Sequence, residues 1–528
     1  MTPALSEALG ELPDLLRAHL ALSAAALAAG VVVGAPLALW AARSRVARTP
    51  LLALIGLIQT IPTLALLALF YPLLLGTGRL TGLAIPALGF LPALIALSLY
   101  ALLPIVRNGV AALDGLDPGI IEAADGLGMT PSQRLWLVEL PLGAPVMLAG
   151  IRTAAVWTIG TATLATTVGQ ACLGNLIFSG LQTENWTRVL VGCGAAALLA
   201  LAADGLLALV EIGVARRQGW RLWLALGLTA VALMVALWPA PLRPAGQASR
   251  RPIVIGAKNF SEQYILAGVI EDRLHAAGLA TARRDDLGSA VAYRALAAGD
   301  IDVYVDYSGT LWANVLGRTD IPSAAAMRAQ LTTQLHARDG VVVLGALGFE
   351  NAYALAMRRE RAAALGIRTL NDLASVAPRL RLATDLEFLS RPEWRSVADS
   401  YGLRFASARA YSPTFIYRAV ADGSADVISA FSSDGRIAAL DLVTLPDPRG
   451  ALPSYDALLL LAPRQAGDQQ LRAALQPLIG CIAIGPMRQA NLMVDRDADK
   501  RTPAEAARWL LAATGLATST APQSGRAR

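Results

Sequence analysis

The chain has 528 residues, 55% of them hydrophobic, and a mean hydropathy of +0.50, so at least two domains are expected, one of them in a membrane. Cys172, Cys193, Cys481 and three histidines lie scattered, a pattern that excludes a disulfide framework and offers no zinc or other metal site. A net charge of +6 does not mark a nucleic-acid binder, because the arginines gather in short loops between apolar runs and not on one face.

Leu, Ala, Val and Ile dominate up to about Ala240, and from Arg250 onward apolar and polar residues alternate as in a soluble α/β protein. A membrane span needs about 20 mostly apolar residues. Six segments qualify: His19–Ala42, Leu51–Leu75, Leu83–Val106, Ala144–Val168, Val189–Val214 and Leu222–Trp238. Helices are expected, since backbone groups in lipid must bond within their own segment, with Pro36, Pro62, Pro72, Pro86 and Pro92 as candidate kinks. The expected division is a transmembrane domain at residues 1–240, a Pro/Gly/Ser-rich linker at 241–252, an α/β domain at 253–516 and a disordered tail at 517–528.

Arginine placement sets the orientation. Arg43, Arg45 and Arg48 follow the first segment, Arg107 and Arg134 separate the third from the fourth, and Arg216, Arg217 and Arg221 separate the fifth from the sixth. The intervening loops hold only Arg79 and Arg188, so the polar stretch Glu122–Pro141 falls inside and everything after Trp238 outside. The sixth segment, ending Trp238-Pro239-Ala240, also reads as an embedded secretory leader, either kept as an anchor or cleaved after Ala240. Asp204 and Glu211, on one face of the fifth segment, are carboxylates at membrane depth; they mark either a functional path or a wet interior.

Within the inner loop, Glu122-Ala123-Ala124, Gly128 and Val138-x-Leu140-Pro141 follow the spacing EAA-x3-G-x9-(I/V)-x-LP. Small Ala123 and Ala124 let a helix seat closely, Gly128 permits a sharp turn, and Pro141 can open the next helix. The stretch resembles the loop by which permease subunits of bacterial ABC importers engage their motor. A phosphate-cradling loop needs a lysine, and neither Lys258 nor Lys500 sits in such a context. The resemblance therefore implies a separate cytoplasmic ATP-binding subunit, acting as a pair, and a dimer of the membrane half.

In the second half, Ile253–Gly256, Ile301–Val305, Val341–Leu344, Leu380–Ala383 and Val427–Ala430 read as strands between helical stretches Ser261–Ala277 and Ala290–Ala298. Parallel sheets in two α/β lobes are expected, with the chain crossing near Glu350–Ala356 and returning near Ser454–Leu460. No G-x-S-x-G elbow and no dinucleotide turn occurs, and Asp302/Asp306 read as strand ends, so no enzyme is indicated. Aromatic residues stand at element ends: Phe260, Tyr264, Tyr307, Trp312, Phe349, Tyr353, Phe431 and Tyr455.

Gly256-Ala-Lys-Asn-Phe-Ser-Glu-Gln263, Asp306-Tyr-Ser-Gly-Thr310, Leu347-Gly-Phe-Glu-Asn-Ala-Tyr353 and Ala430-Phe-Ser-Ser-Asp-Gly-Arg436 occur in order. Together they resemble the binding proteins of osmoprotectant importers for glycine betaine, carnitine and choline, and the membrane half resembles their permeases. The implied fold is an all-α permease of about six helices, then a two-lobed binding-protein domain outside the cytoplasm, in a bacterial inner membrane. The implied aromatic cage is Tyr307, Tyr353, Phe431 and Tyr455, with Gln263 and Thr310 holding the rest of a small trimethylammonium ligand. Aromatic faces attract a quaternary ammonium, which offers no N–H to hydrogen bond. Phe431 stands where relatives often have tyrosine, and uncharged Thr310 favours zwitterions over a purely cationic ligand. Ergothioneine, also a trimethylammonium betaine, is the alternative cargo; a ligand-sensing receptor is the alternative class. No cofactor is implied.

Overall fold

The computed structural model describes residues 3–83, 85–183, 185–221, 223–225, 227–228, 251–385, 388–411, 413–496 and 498–516. The sixth apolar segment, the linker and the tail fall mostly or wholly outside these residues. The chain divides into two compact units, one holding most of the apolar helical residues and one the α/β residues together with Phe178–Trp186.

The membrane unit runs α1 (Pro3–Arg43), α2 (Arg45–Thr60), α3 (Thr63–Thr81), α4 (Phe90–Asp114), α5 (Pro118–Gly126), α6 (Pro131–Arg134), a π-helical turn Leu135–Glu139, α7 (Leu140–Ala162), α8 (Gly174–Gln182) and α9 (Trp186–Ala215). Four described stretches are long and apolar enough to span: Leu5–Arg43, Phe90–Asp114, Pro131–Val168 and Trp186–Ala215. These match the first, third, fourth and fifth expected segments.

The second expected segment is not one helix. Its halves, α2 and α3, meet at 99°. Pro62 has no N–H to continue the ladder and holds Ile61 extended at φ −70°, ψ 127°. The Tyr100 hydroxyl donates to the Ile61 carbonyl, satisfying a group the break would leave bare. The third segment begins at Phe90, seven residues late, because Gly89 at φ 79° and Pro86 keep the chain irregular before it. Small residues then let helices close: a Cβ on Gly150 would meet Asn108 Cβ at 2.6 Å and one on Gly109 would meet Ala38 Cβ at 2.6 Å. Asp204 is ion-paired rather than bare, receiving Arg152 Nε at 2.5 Å and Nη2 at 2.7 Å, with Glu211 at 3.5 Å from the same guanidinium. That arrangement staples α7 to α9.

Among the described residues the α/β unit contains ten strands: β1 (Ile253–Lys258), β2 (Thr281–Leu287), β3 (Val303–Tyr307), β4 (Val342–Glu350), β5 (Tyr353–Arg358), β6 (Arg381–Asp385), β7 (Ser407–Tyr411), β8 (Val427–Phe431), β9 (Leu442–Thr444) and β10 (Asp456–Leu461). They form two five-stranded sheets, ordered β2-β1-β3-β10-β4 and β7-β6-β8-β5-β9, one per lobe. The chain crosses through Asn351 and Ala352 and returns before β10, where expected. The sheets are mixed, not parallel as expected: β10 runs antiparallel to β3 and β4, and β5 antiparallel to β8 and β9. A strand that enters its lobe straight from the other has no helix to turn it round, so it runs against its neighbours.

Candidate functional site

The two crossings bring strand ends from both lobes around one cavity of about 420 Å³. Tyr307 closes β3, Tyr353 opens β5, Phe431 closes β8, and Tyr455 immediately precedes β10. Tyr353 and Phe431 are register partners across β5 and β8, with ring centroids 4.8 Å apart. Tyr455 meets Tyr353 edge-on at 5.9 Å and 83°. A Cβ on Gly309 would lie 2.6 Å from the Tyr455 ring, so only glycine lets that ring lie across the start of the loop. Tyr307 stands with Phe260, their centroids 6.2 Å apart. All four expected cage residues line the cavity, as do Phe260 and Thr310.

Gln263 does not line it. Its Oε1 accepts from the Lys258 N–H at 3.3 Å and its Nε2 donates to the Tyr307 hydroxyl at 3.1 Å, so it sits behind a cage ring. Glu262 shares that task. Its Oε1 accepts from the Tyr307 hydroxyl at 2.5 Å and Asn351 Nδ2 at 3.0 Å, and its Oε2 from Asn491 Nδ2 at 2.9 Å. Burial raises the Glu262 carboxyl above its usual range, against these donors and Ser433. Lys258 is buried against Asp306, which also accepts from the Tyr304 hydroxyl at 2.5 Å and the Tyr307 N–H at 2.7 Å.

Two arginines that the sequence reading did not single out also face the cavity. Arg391 places its guanidinium carbon 5.5 Å from the Tyr353 ring centroid and 3.9 Å, nitrogen to oxygen, from Glu393. Glu393 in turn accepts from the Tyr455 hydroxyl. Arg436 is bound by Asp434, at 2.7 Å, and lies 4.1 Å over the Tyr417 ring. Tyr353 also touches Phe388 at 4.8 Å. No spacing rule flags Arg391; a lone arginine just ahead of the helix Pro392–Tyr401 looks like any surface arginine until the fold encloses it.

Asp495 lies beside this group, its Oδ1 accepting from Ser261 Oγ at 2.5 Å. Burial pushes its carboxyl up to about 6 from 3.8, with Arg436 opposing. Between those pH values the native state keeps a proton that the unfolded state has released, so stability falls as pH rises through the interval. Unfolding of residues 251–516 followed from about pH 4 to about pH 6 should show this decline, and Asp495→Asn should flatten it. An unchanged slope in the variant would assign the decline to other groups.

At the inner loop, α5 begins under Asp117, whose Oδ1 accepts from Gly119 N at 2.8 Å. Glu122 and Ala123 are exposed while Ala124 is buried. Gly128 follows at φ 74°, α6 starts with a Thr130/Gln133 capping box, and Leu140-Pro141 opens α7. Exposed Ile120, Leu127, Trp136 and Leu137 give this loop an apolar surface.

Residues 251–513 match the family model described as the substrate binding domain of an ABC-type glycine betaine transport system, and residues 30–216 match that of the binding-protein-dependent transport system inner membrane component. The ergothioneine transport permease/ergothioneine binding protein EgtU of Helicobacter pylori is 29% identical over 446 residues, 82% of this chain and 77% of its own. The choline transport system permease protein OpuBB of Bacillus subtilis is 38% identical over 38% of this chain and 88% of its own. A crystal structure of a glycine betaine/carnitine/choline ABC transporter is 25% identical, covering 50% of this chain and 99% of that one with a TM-score of 0.46. Both matched families are transport components and not enzymes, which makes the chain a multi-pass inner-membrane part of an ABC importer. The chain thus belongs to the permeases of binding-protein-dependent ABC import, and it carries its own substrate-binding domain of the glycine betaine transport class in the same polypeptide.

Proposed function

We propose that the cargo is a trimethylammonium zwitterion of the glycine betaine and carnitine kind, with choline bound less well. The observation that carries this reading is Phe431 and Tyr455 converging on Tyr353, at 4.8 Å and 5.9 Å between ring centroids, in the same cavity as the Arg391 guanidinium. Each ring face contributes about 0.5–2 kcal/mol toward a desolvated quaternary ammonium. Tyr307 supplies a further face, its hydroxyl held by Gln263 from behind and by Glu262, which itself lines the cavity. Arg391 and Thr310 serve the carboxylate end, a guanidinium giving paired N–H donors and the threonine an O–H.

Ergothioneine is the second reading. Supporting it is the Helicobacter pylori relative named for that compound, which aligns across both halves of this fused chain. A cavity of about 420 Å³ lies within the range of roughly 300–1,000 Å³ usual for small-molecule sites and leaves room for the larger betaine. Calorimetric titration of the full-length chain in nanodiscs with glycine betaine, carnitine, choline and ergothioneine separates the two. Binding of none of the four would sink the trimethylammonium reading altogether.

The motor is a separate ATP-binding subunit, acting as a pair on a homodimer of the membrane half. It docks on the cytoplasmic side at Glu122, Ala123, Ala124, Gly128, Leu140 and Pro141, and the binding domain works on the opposite face. The arginine distribution supports that orientation, and the exposed apolar loop surface supports docking there.

A further inference from the structure

Arg134 and Glu139 are five residues apart. In a regular α-helix that spacing puts side chains on different faces, since neighbours lie three or four apart. Here the π-helical turn Leu135–Glu139 inserts the extra residue, and Arg134 Nε reaches Glu139 Oε1 at 2.8 Å. The same guanidinium donates Nη1 to both oxygens of Asp125 on α5 at 2.8 Å. Buried Glu139 has its second oxygen, Oε2, on Arg43 Nη2 at 3.1 Å, at the last residue of α1. Four charges thus run in an unbroken line from the loop helix bearing Glu122-Ala123-Ala124, through the base of α7, to the end of α1.

From this line we propose that Arg134 is the positioning residue that ties the loop to the membrane helices, so that displacement of α5 is passed to α1 and α7 as one rigid motion. The proposal rests on the reading of Glu122–Pro141 as the docking site of an ATP-binding subunit. Among the described residues nothing else on α5 offers comparable purchase. Apart from Ala124 its described side chains are exposed or half-buried, and Gly128 at φ 74° makes the turn beyond it a sharp one. A helix held by backbone turns alone would pivot under load, whereas a guanidinium gripping two carboxylates fixes direction as well as distance. Glu139, 7% exposed, keeps Arg43 when Arg134 is lost, so a variant at 134 loosens the loop without leaving a bare buried charge.

The test uses the full-length chain assembled with its ATP-binding subunit in nanodiscs. Nitroxide labels at Ile120→Cys on α5 and Val46→Cys just beyond α1, with Cys193 and Cys481 replaced by serine, report the separation of loop and helix end. With Arg134 intact, the distance distribution is expected to be narrow and the same in nucleotide-free and ATP-vanadate-trapped complexes. In Arg134→Met it should broaden and shift on trapping, and cargo moved per ATP hydrolysed should fall roughly tenfold or more. If Arg134→Met does not accumulate, Asp125→Asn cuts only the outer link and is read in the same way. A variant distribution as narrow and fixed as the parent's overturns the strut while leaving docking intact. Failure of the parent chain to bind any ATP-binding subunit overturns the docking reading, and the strut with it.

Discussion

Arg391→Met is expected to lower affinity for glycine betaine roughly 100-fold while choline binding is kept or improved. Removing one partner from a mostly buried charge contact costs about 2–5 kcal/mol, and the Arg391 side chain is only 12% exposed. Methionine preserves the stem that packs near Tyr353 but withdraws the donors meant for a carboxylate. The sign for choline follows from Glu393. That residue is 3% exposed, lies 3.9 Å from Arg391, and has its Oε2 without a hydrogen-bond partner among the described residues. Once Arg391 is gone its charge is less compensated beside the cage, which favours a ligand that is purely cationic. A guanidinium over the Tyr353 face also competes with the ligand's cation for that face, a competition methionine ends. Titration of both ligands into both proteins gives four constants. Tyr353→Leu supplies the control, since losing one ring should weaken every trimethylammonium ligand by about tenfold alike. Equal losses for glycine betaine and choline in Arg391→Met would show that the guanidinium supports the cage and does not select the carboxylate.

These residues also mark what was legible beforehand. Tyr307, Tyr353 and Phe431 could be read because each closes or opens a strand inside one of the sequence motifs, whereas Tyr455, just before β10, lies in none of them and was named as a cage residue from the resemblance alone; the fold brings all four to one cavity. Arg391 could not be read, since its place comes from Phe388 and Arg391 packing over Tyr353, a contact no local pattern encodes. Gln263 lies in the expected motif yet behind Tyr307, because the first turn of the helix Ser261–Ala276 points it at Lys258 and the ring hydroxyl. In the membrane half, apolar length located the spans, but hydropathy is blind to direction and so missed the 99° turn at Pro62. The mixed sheets were missed for a related reason. Alternating strand and helix implies parallel pairing only while the chain stays in one lobe, and β5 and β10 are the strands that enter from the other.

Gly128→Pro is expected to abolish uptake and leave ligand affinity unchanged. Gly128 sits at φ 74°, which proline, fixed near about −65°, cannot adopt. Its N–H donates to the Asp125 carbonyl at 3.0 Å, and the next N–H, from Met129, reaches Ala124 at 3.2 Å. Proline deletes the first bond and pulls the second out of line, a change on the order of 3 kcal/mol or more. The turn would then open at the C-terminal end of α5, taking Asp125 away from Arg134 and Glu122-Ala123 out of register with a partner. Crowding is not the cause, because a Cβ at this position would meet nothing within 4 Å. Gly128→Ala therefore isolates the backbone term. It keeps the N–H and strains φ by about 1 kcal/mol, so uptake should fall only partly. The binding half belongs to the other compact unit and contains none of these residues. Uptake by vesicles and ligand titration on the same purified variants settle the matter: lost binding in Gly128→Pro would mean that the loop and the cage are not separate devices, and undiminished uptake would mean that the turn carries no load.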